Sequence, residues 1–176
     1  MKSKIENIKN NSQQILPLGA GGLRNNLYPI FLKAKNLNFL IVGGGFVAEE
    51  KLTFLLKSSP DAKVTLVSPM FREGTIALAK KGCVTLIKDV YHKKYLQGRH
   101  IVVATTDVPD INVQVWADCR AAAKLVNVAD NPPYCDFYMG GIVTKGNVKV
   151  AISTNGKSPT TAKRLRQFFE EVIPEN

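Results

Sequence analysis

The chain has 176 residues, 45% of them hydrophobic, which is enough for one good core with a small appendage. No apolar run approaches a membrane span, and the opening MKSKIENIKNNSQQ has charge but no apolar h-region, so the expectation is a cytoplasmic protein with neither transmembrane helix nor secretory signal. Lys and Arg number 24 against 14 Asp and Glu, a net charge of +10 that suits a polyanion; nucleic acid or a small substrate with many carboxylates or phosphates would answer it equally well, but no helix-turn-helix, RNP or zinc-finger pattern favours the former.

Residues 1–25, polar and rich in Asn and Gln, read as a flexible leader or expression remnant. From Asn38, NFLIVGG predicts a strand ending in glycines, and VAEEKLTFLLKSS, apolar at Val47, Leu52, Leu55 and Leu56, predicts a helix. The alternation continues with KVTLVSP as strand, REGTIALAKKG as helix, VTLIK and HIVVATT as strands, VPDINVQVWADCRAAAK as helix and LVNVAD as strand. Runs of branched apolar residues without polar alternation suit strands buried on both faces, so residues 26–130 are expected to form a doubly wound parallel α/β sheet, Rossmann-like in kind. After Asp130 the grammar changes. DFYMGGIVTKGNVKVAIST predicts a β-hairpin turning at Lys145-Gly146-Asn147, and Ser158-Pro159 opens a last helix with serine as N-cap and proline at the first helical position. Residues 131–176 are thus expected to form a small second region. Cys83, Cys119 and Cys135, odd in number and without a C-x-x-C pair, read as ordinary reduced thiols rather than disulfide or metal partners.

Gly43-Gly44-Gly45-Phe46-Val47-Ala48 fits G-x-G-x-x-A between the first strand and its helix. In that context the first glycine makes the tight turn, the second lets backbone N–H groups approach a pyrophosphate, and the small third residue lets helix pack on strand. Dinucleotide binding is the expectation, with a purely structural glycine turn as the alternative. The second strand closes on Val67-Ser68-Pro69 without the acidic residue that usually holds the ribose, so the Ser68 hydroxyl or a backbone group is expected there. Arg72 lies close enough in sequence to receive a 2'-phosphate, or serves as an ordinary helix-face arginine; NAD is the favoured cofactor. The fourth strand ends in Thr105-Thr106-Asp107, beside the reversal between strands one and four where ligands sit. The backbone of Thr105 and Thr106 is expected to matter there. Asp107 lies near the nicotinamide half or caps the next helix.

Asp130 ends the fifth strand and is followed by Asn131-Pro132-Pro133, so it reads either as a turn former or as an acid/base group on the ligand side of the sheet. His92 in a polar YHKK segment and His100 at the amino edge of a strand offer little competition. The segment Ser153 to Thr161 collects hydroxyls, a glycine and Lys157 at a helix N-terminus, where free N–H groups favour anions; a well-capped helix with a solvated face is the plain alternative.

IVGGGFVAEEK, ATTD, VNVAD followed by DFYM, and AISTNGKSP followed by AKRLR, in this order from about Leu27 onward, resemble precorrin-2 dehydrogenase, the NAD-dependent enzyme of sirohaem synthesis that also forms the front part of sirohaem synthases. The resemblance implies that precorrin-2 loses a hydride to NAD and a proton to the medium, giving sirohydrochlorin, with ferrous iron insertion in some members. It places the essential aspartate on Asp130 and nucleotide contacts on Gly43, Gly45, Phe46, Val47, Pro69 and Met70. It also implies a homodimer formed by the hairpin region, and a substrate-side loop carrying Ser153, Thr154, Lys157 and Ser158. Many members continue into a helical domain after AKRLR, so dehydrogenation is carried over more directly than iron insertion, which a separate chelatase could supply. Precorrin-2 bears eight carboxylates, which gives the positive charge a reason without nucleic acid or membrane. The rival reading is a regulatory module that binds NAD(H) without chemistry.

Overall fold

The computed structural model describes residues 25–175, so the expected leader lies outside the described residues except for Asn25. Strands β1 (Asn38–Val42), β2 (Lys63–Val67), β3 (Val84–Ile87), β4 (Ile101–Ala104) and β5 (Leu125–Val128) form one parallel sheet in the order β3-β2-β1-β4-β5. Helices α1 (Phe46–Ser58) and α2 (Glu73–Ala79) make the first two crossovers, and α3 (Pro109–Ala121) joins β4 to β5. The doubly wound expectation is met, and the order reverses between β1 and β4.

Alternate residues of each strand serve opposite cores, which is why the strands are apolar without interruption. Phe39 and Ile41 of β1 pack with Ala48 and Leu52 of α1 on one face. Leu40 and Val42 pack with Val115 and Cys119 of α3 on the other. With both faces covered, the polar groups of the sheet gather at the two ends of the strands. In open α/β sheets, ligands bind outside the carboxyl ends of the strands.

The chain then forms the antiparallel hairpin β6 (Gly141–Lys145) and β7 (Val148–Ile152), turning on Gly146-Asn147, followed by α4 (Pro159–Val172). Ser158 caps α4 as expected, its hydroxyl accepting from the Thr161 amide at 3.3 Å, with Pro159 in the first turn. Phe137 and Met139 pack against the α1-side core, and Lys149 Nζ donates to the Ser58 carbonyl at 2.7 Å, a cation satisfying the carbonyl end of α1.

Two glycines bring the strand ends together. Gly43 has φ +125°, a conformation that L side chains rarely adopt, and a Cβ there would stand 2.5 Å from Thr105 Oγ1. A Cβ on Gly44 would stand 2.0 Å from the Met70 carbonyl oxygen. Backbone atoms cannot yield as the tip of a side chain can, so Gly44→Ala is expected to cost about 2–3 kcal/mol, while Gly45→Ala, where nothing lies within 4 Å, should cost no more than about 1 kcal/mol. Urea denaturation of the two variants beside the native protein measures the contrast.

Candidate functional site

β1, β2, β4 and β5 deliver their carboxyl ends to one edge of the sheet. At that edge α1 begins directly after the glycine turn. Gly45 is its N-cap and supplies no side-chain cap, and the first helical hydrogen bond, Glu49 N–H to the Gly45 carbonyl, is 3.1 Å long. The amide donors of Phe46, Val47 and Ala48 precede that bond and belong to the helix end that favours anions. A Cβ added to Gly45 would meet nothing within 4 Å, and Ala48 is fully buried where the helix packs on the sheet. The residues present therefore fit a pyrophosphate.

A cleft of about 60 Å³ opens beside this turn, lined by Gly43, Ser68, Pro69 and Thr106 of the predicted residues, and by Tyr91 and Ile111, which sequence reasoning missed. Tyr91 follows the loop after β3, so the rule that strand ends carry ligands could have found it; Ile111 carries no local signal. The cleft is too small for a whole dinucleotide, which would need several hundred Å³. Phe46 and Met70, 73% and 77% exposed, extend the surface beyond it.

Around the cleft, hydrogen bonds fix the strand ends. Thr105 donates from its amide and its hydroxyl to the Val42 carbonyl, at 2.8 and 2.9 Å. The Thr106 amide donates to Asn112 Oδ1 at 3.1 Å, and Asn112 Nδ2 donates to the Thr106 carbonyl at 2.8 Å. The amides of Thr105 and Thr106 and the Thr106 carbonyl are thus engaged within the protein, where they hold the loop's shape. Asp107 is exposed and does not cap α3; Val108 is the N-cap, and its amide donates to Thr106 Oγ1 at 3.3 Å. Tyr91 donates to Asp118 Oδ2 at 3.2 Å, and burial, then the Asp118 charge, pushes its phenol far above the usual range. It faces the cleft as a neutral phenol.

Arg72, partly exposed, precedes α2 as its N-cap and is engaged within the protein. Its Nε donates to Glu49 Oε2 at 2.8 Å, its guanidinium lies 3.4 Å above the centre of the Phe46 ring, and its amide donates to the Gly44 carbonyl at 3.2 Å.

Asp130 lies two residues past β5, exposed, with φ +58°. Two strand spacings, about 10 Å, separate β5 from β1. Asp130 does not line the small cleft. The segment that follows it is pinned to β5 by groups that sequence reasoning also missed. Asp136 exchanges bonds with Val126, amide to carbonyl at 2.8 Å and carboxylate from amide at 3.0 Å. Asn127, buried within β5, donates to the Phe137 carbonyl at 2.7 Å. Arg120 closes on Asp136 at 2.8 Å. No periodicity announces such bonds.

The loop Ser153 to Ser158 is held by its own side chains and by Asn25. Thr154 Oγ1 bonds both the amide and the carbonyl of Ser158, the Asn155 amide donates to Ser153 Oγ, and Asn25 Nδ2 donates to the Ser153 carbonyl at 3.2 Å. None of Ser153, Thr154, Lys157 and Ser158 lines the small cleft. His100 accepts from the Asn38 amide at 2.9 Å at the amino edge of the sheet, a structural role. No described helix is long and apolar enough to cross a membrane.

Residues 30–141 match the family described as "Putative NAD(P)-binding", and residues 145–171 match one described as "Sirohaem biosynthesis protein central". The chain is 41% identical over 150 residues to a siroheme synthase of Psychrobacter sp. (strain PRwf-1), covering 85% of this chain and 30% of that protein. It is 40% identical to a siroheme synthase of Pseudoalteromonas translucida (strain TAC 125), covering 84% of this chain and 31% of that protein. It therefore spans about a third of the length of these relatives. A solved structure, "SirC, precorrin-2 dehydrogenase", shares the fold at TM-score 0.68 and 23% identity, over 85% of this chain and 72% of that one.

All three cysteines are free. Cys119 is fully buried, and burial, followed by the charges of Asp118 and Asp136, pushes its thiol up to about 12; burial also raises Cys135. Only thiolates attack disulfide reagents, so at pH 8 the native protein should react quickly through exposed Cys83 alone. Titration with a chromogenic disulfide, repeated after Cys83→Ser, should lose that fast phase and recover the other thiols in denaturant.

Proposed function

Because the chain belongs to the NAD(P)-binding family matched over residues 30–141, we propose that it dehydrogenates precorrin-2 to sirohydrochlorin with NAD, a step of sirohaem biosynthesis. The observation that carries the reading is the open face of Gly45 at an α1 N-terminus that no side chain caps. The match to siroheme synthases over 85% of the chain supports the pathway.

Residues 26–130 are the dinucleotide-binding region in this reading. The amides of Gly45, Phe46 and Val47 hold the pyrophosphate, Gly43 makes the tight turn, the open face of Gly45 permits the approach, and Ser68, Pro69 and Met70 receive the adenosine ribose. Thr105, Thr106 and Asp107 border the nicotinamide half, and their internal bonds keep that edge rigid. Bound there, NAD supplies the hydride acceptor. Asp130 takes the proton that leaves the macrocycle with the hydride and passes it to water.

Residues 131–176 are the substrate and assembly region. Ser153, Thr154, Lys157 and Ser158 receive substrate carboxylates, and the net charge of +10 favours a polyanion that bears eight of them. The region also forms a homodimer. Helix α4 has no buried residue, and Leu165, Phe168 and Val172 are exposed at spacings of three and four along it. A second copy of the same face would cover that stripe, and the partner's loop could then approach Asp130.

Anaerobic incubation with precorrin-2 and NAD should yield NADH and the macrocycle spectrum of sirohydrochlorin in step. Asp130→Asn keeps the side chain's shape without its charge and should lower the rate by about a hundredfold to ten-thousandfold, with NAD affinity retained. Normal turnover by that variant rejects Asp130 as the base; NAD binding by the native protein without turnover favours the regulatory module. Phe168→Glu should shift the sedimenting species from dimer to monomer.

A further inference from the structure

Glu49 and Arg72 form a charge-cancelled clamp beside the glycine turn, and we propose that this pair excludes the 2'-phosphate of NADP, with Glu49 as the specificity-determining residue. The inference rests on the dinucleotide reading of the turn given above.

The usual discriminator is missing. β2 closes on Ser68-Pro69-Met70, with no carboxylate to bond a ribose diol or repel a phosphate. The nearest arginine in the chain would seem to favour the phosphorylated cofactor. Arg72 sits in the loop that crosses the carboxyl end of β2, and its amide is bonded to Gly44 within the turn, so it lies where the adenosine half of a dinucleotide passes.

Its guanidinium, however, is already occupied. Nε donates to Glu49 Oε2 at 2.8 Å, and the plane rests 3.4 Å over Phe46. Glu49, in the first turn of α1, is itself backed against the next helix, since a Cβ on Gly74 would stand 2.3 Å from Glu49 Oε1. The two side chains are 28% and 38% exposed, so the pair is only partly screened by water. Turning Arg72 toward a phosphate would leave Glu49 unpaired beside a dianion. The clamp therefore offers no net positive charge to the phosphate and places a carboxylate near it, whereas NAD, with a neutral ribose diol, meets no such opposition.

The test measures dissociation constants for NAD and NADP by titration calorimetry on the full chain, native and variant. Glu49→Gln should raise NADP affinity relative to NAD by about fivefold, the scale of one charge removed at a partly exposed site. Adding Arg72→Gln should cancel the gain, because the released guanidinium is what binds the phosphate. Arg72→Gln alone, which strands the carboxylate, should lower the relative affinity for NADP below native. A relative rise of at least about twofold that the second substitution cancels supports the clamp, and anything less overturns it. Native protein that binds neither dinucleotide brings down the dinucleotide reading as well; native protein that binds NAD with an unmoved ratio overturns the clamp alone.

Discussion

The Met70 carbonyl presses on Gly44 so closely that a single methyl group would not fit between them. With the Gly43 amide bonded to the Val67 carbonyl, and the Thr105 amide bonded to Val42, this contact joins the carboxyl ends of β1, β2 and β4 through main-chain atoms. Main-chain packing is stiff and has no rotamers to adjust. Everything functional is measured from that junction: the start of α1, the Ser68-Pro69 edge, the Arg72 clamp and the Thr106 loop.

The sheet was legible because burial on both faces leaves an unmistakable trace. Each predicted run contains its strand, from NFLIV to LVNV, and the reversal between β1 and β4 follows from the fold class. The hairpin turn and the Ser158 cap were legible too, since each rests on local chemistry. What stayed hidden depends on partners distant in sequence. Asn112 and Thr106 bond each other across the turn into α3, which Asp107 does not cap, Glu49 engages Arg72 at a partly exposed site, and Asp136 and Asn127 fasten the chain after Asp130. A polar residue that bonds across the fold looks, in one dimension, like a polar residue facing water. Tyr91 illustrates the same blindness, because its place in the cleft depends on the path of an irregular crossover between β3 and β4.

The appended hairpin is not a loose addition. Lys149 grips the Ser58 carbonyl and hydroxyl at the end of α1, while that same helix begins at the glycine turn. Phe137 and Met139 share the core of the first two crossovers. The two ends of α1 are therefore fixed by different parts of the chain, one by the glycine turn and one by the hairpin.

Asp130 adopts a backbone conformation with φ +58°, in the left-handed region. Glycine, asparagine and aspartate enter that region with little penalty, and the rest of the amino-acid alphabet is discouraged. Of those three only aspartate can ionise. If the proposed proton transfer is made here, geometry and chemistry draw separate short lists of permitted residues for this corner, and the lists overlap in a single letter.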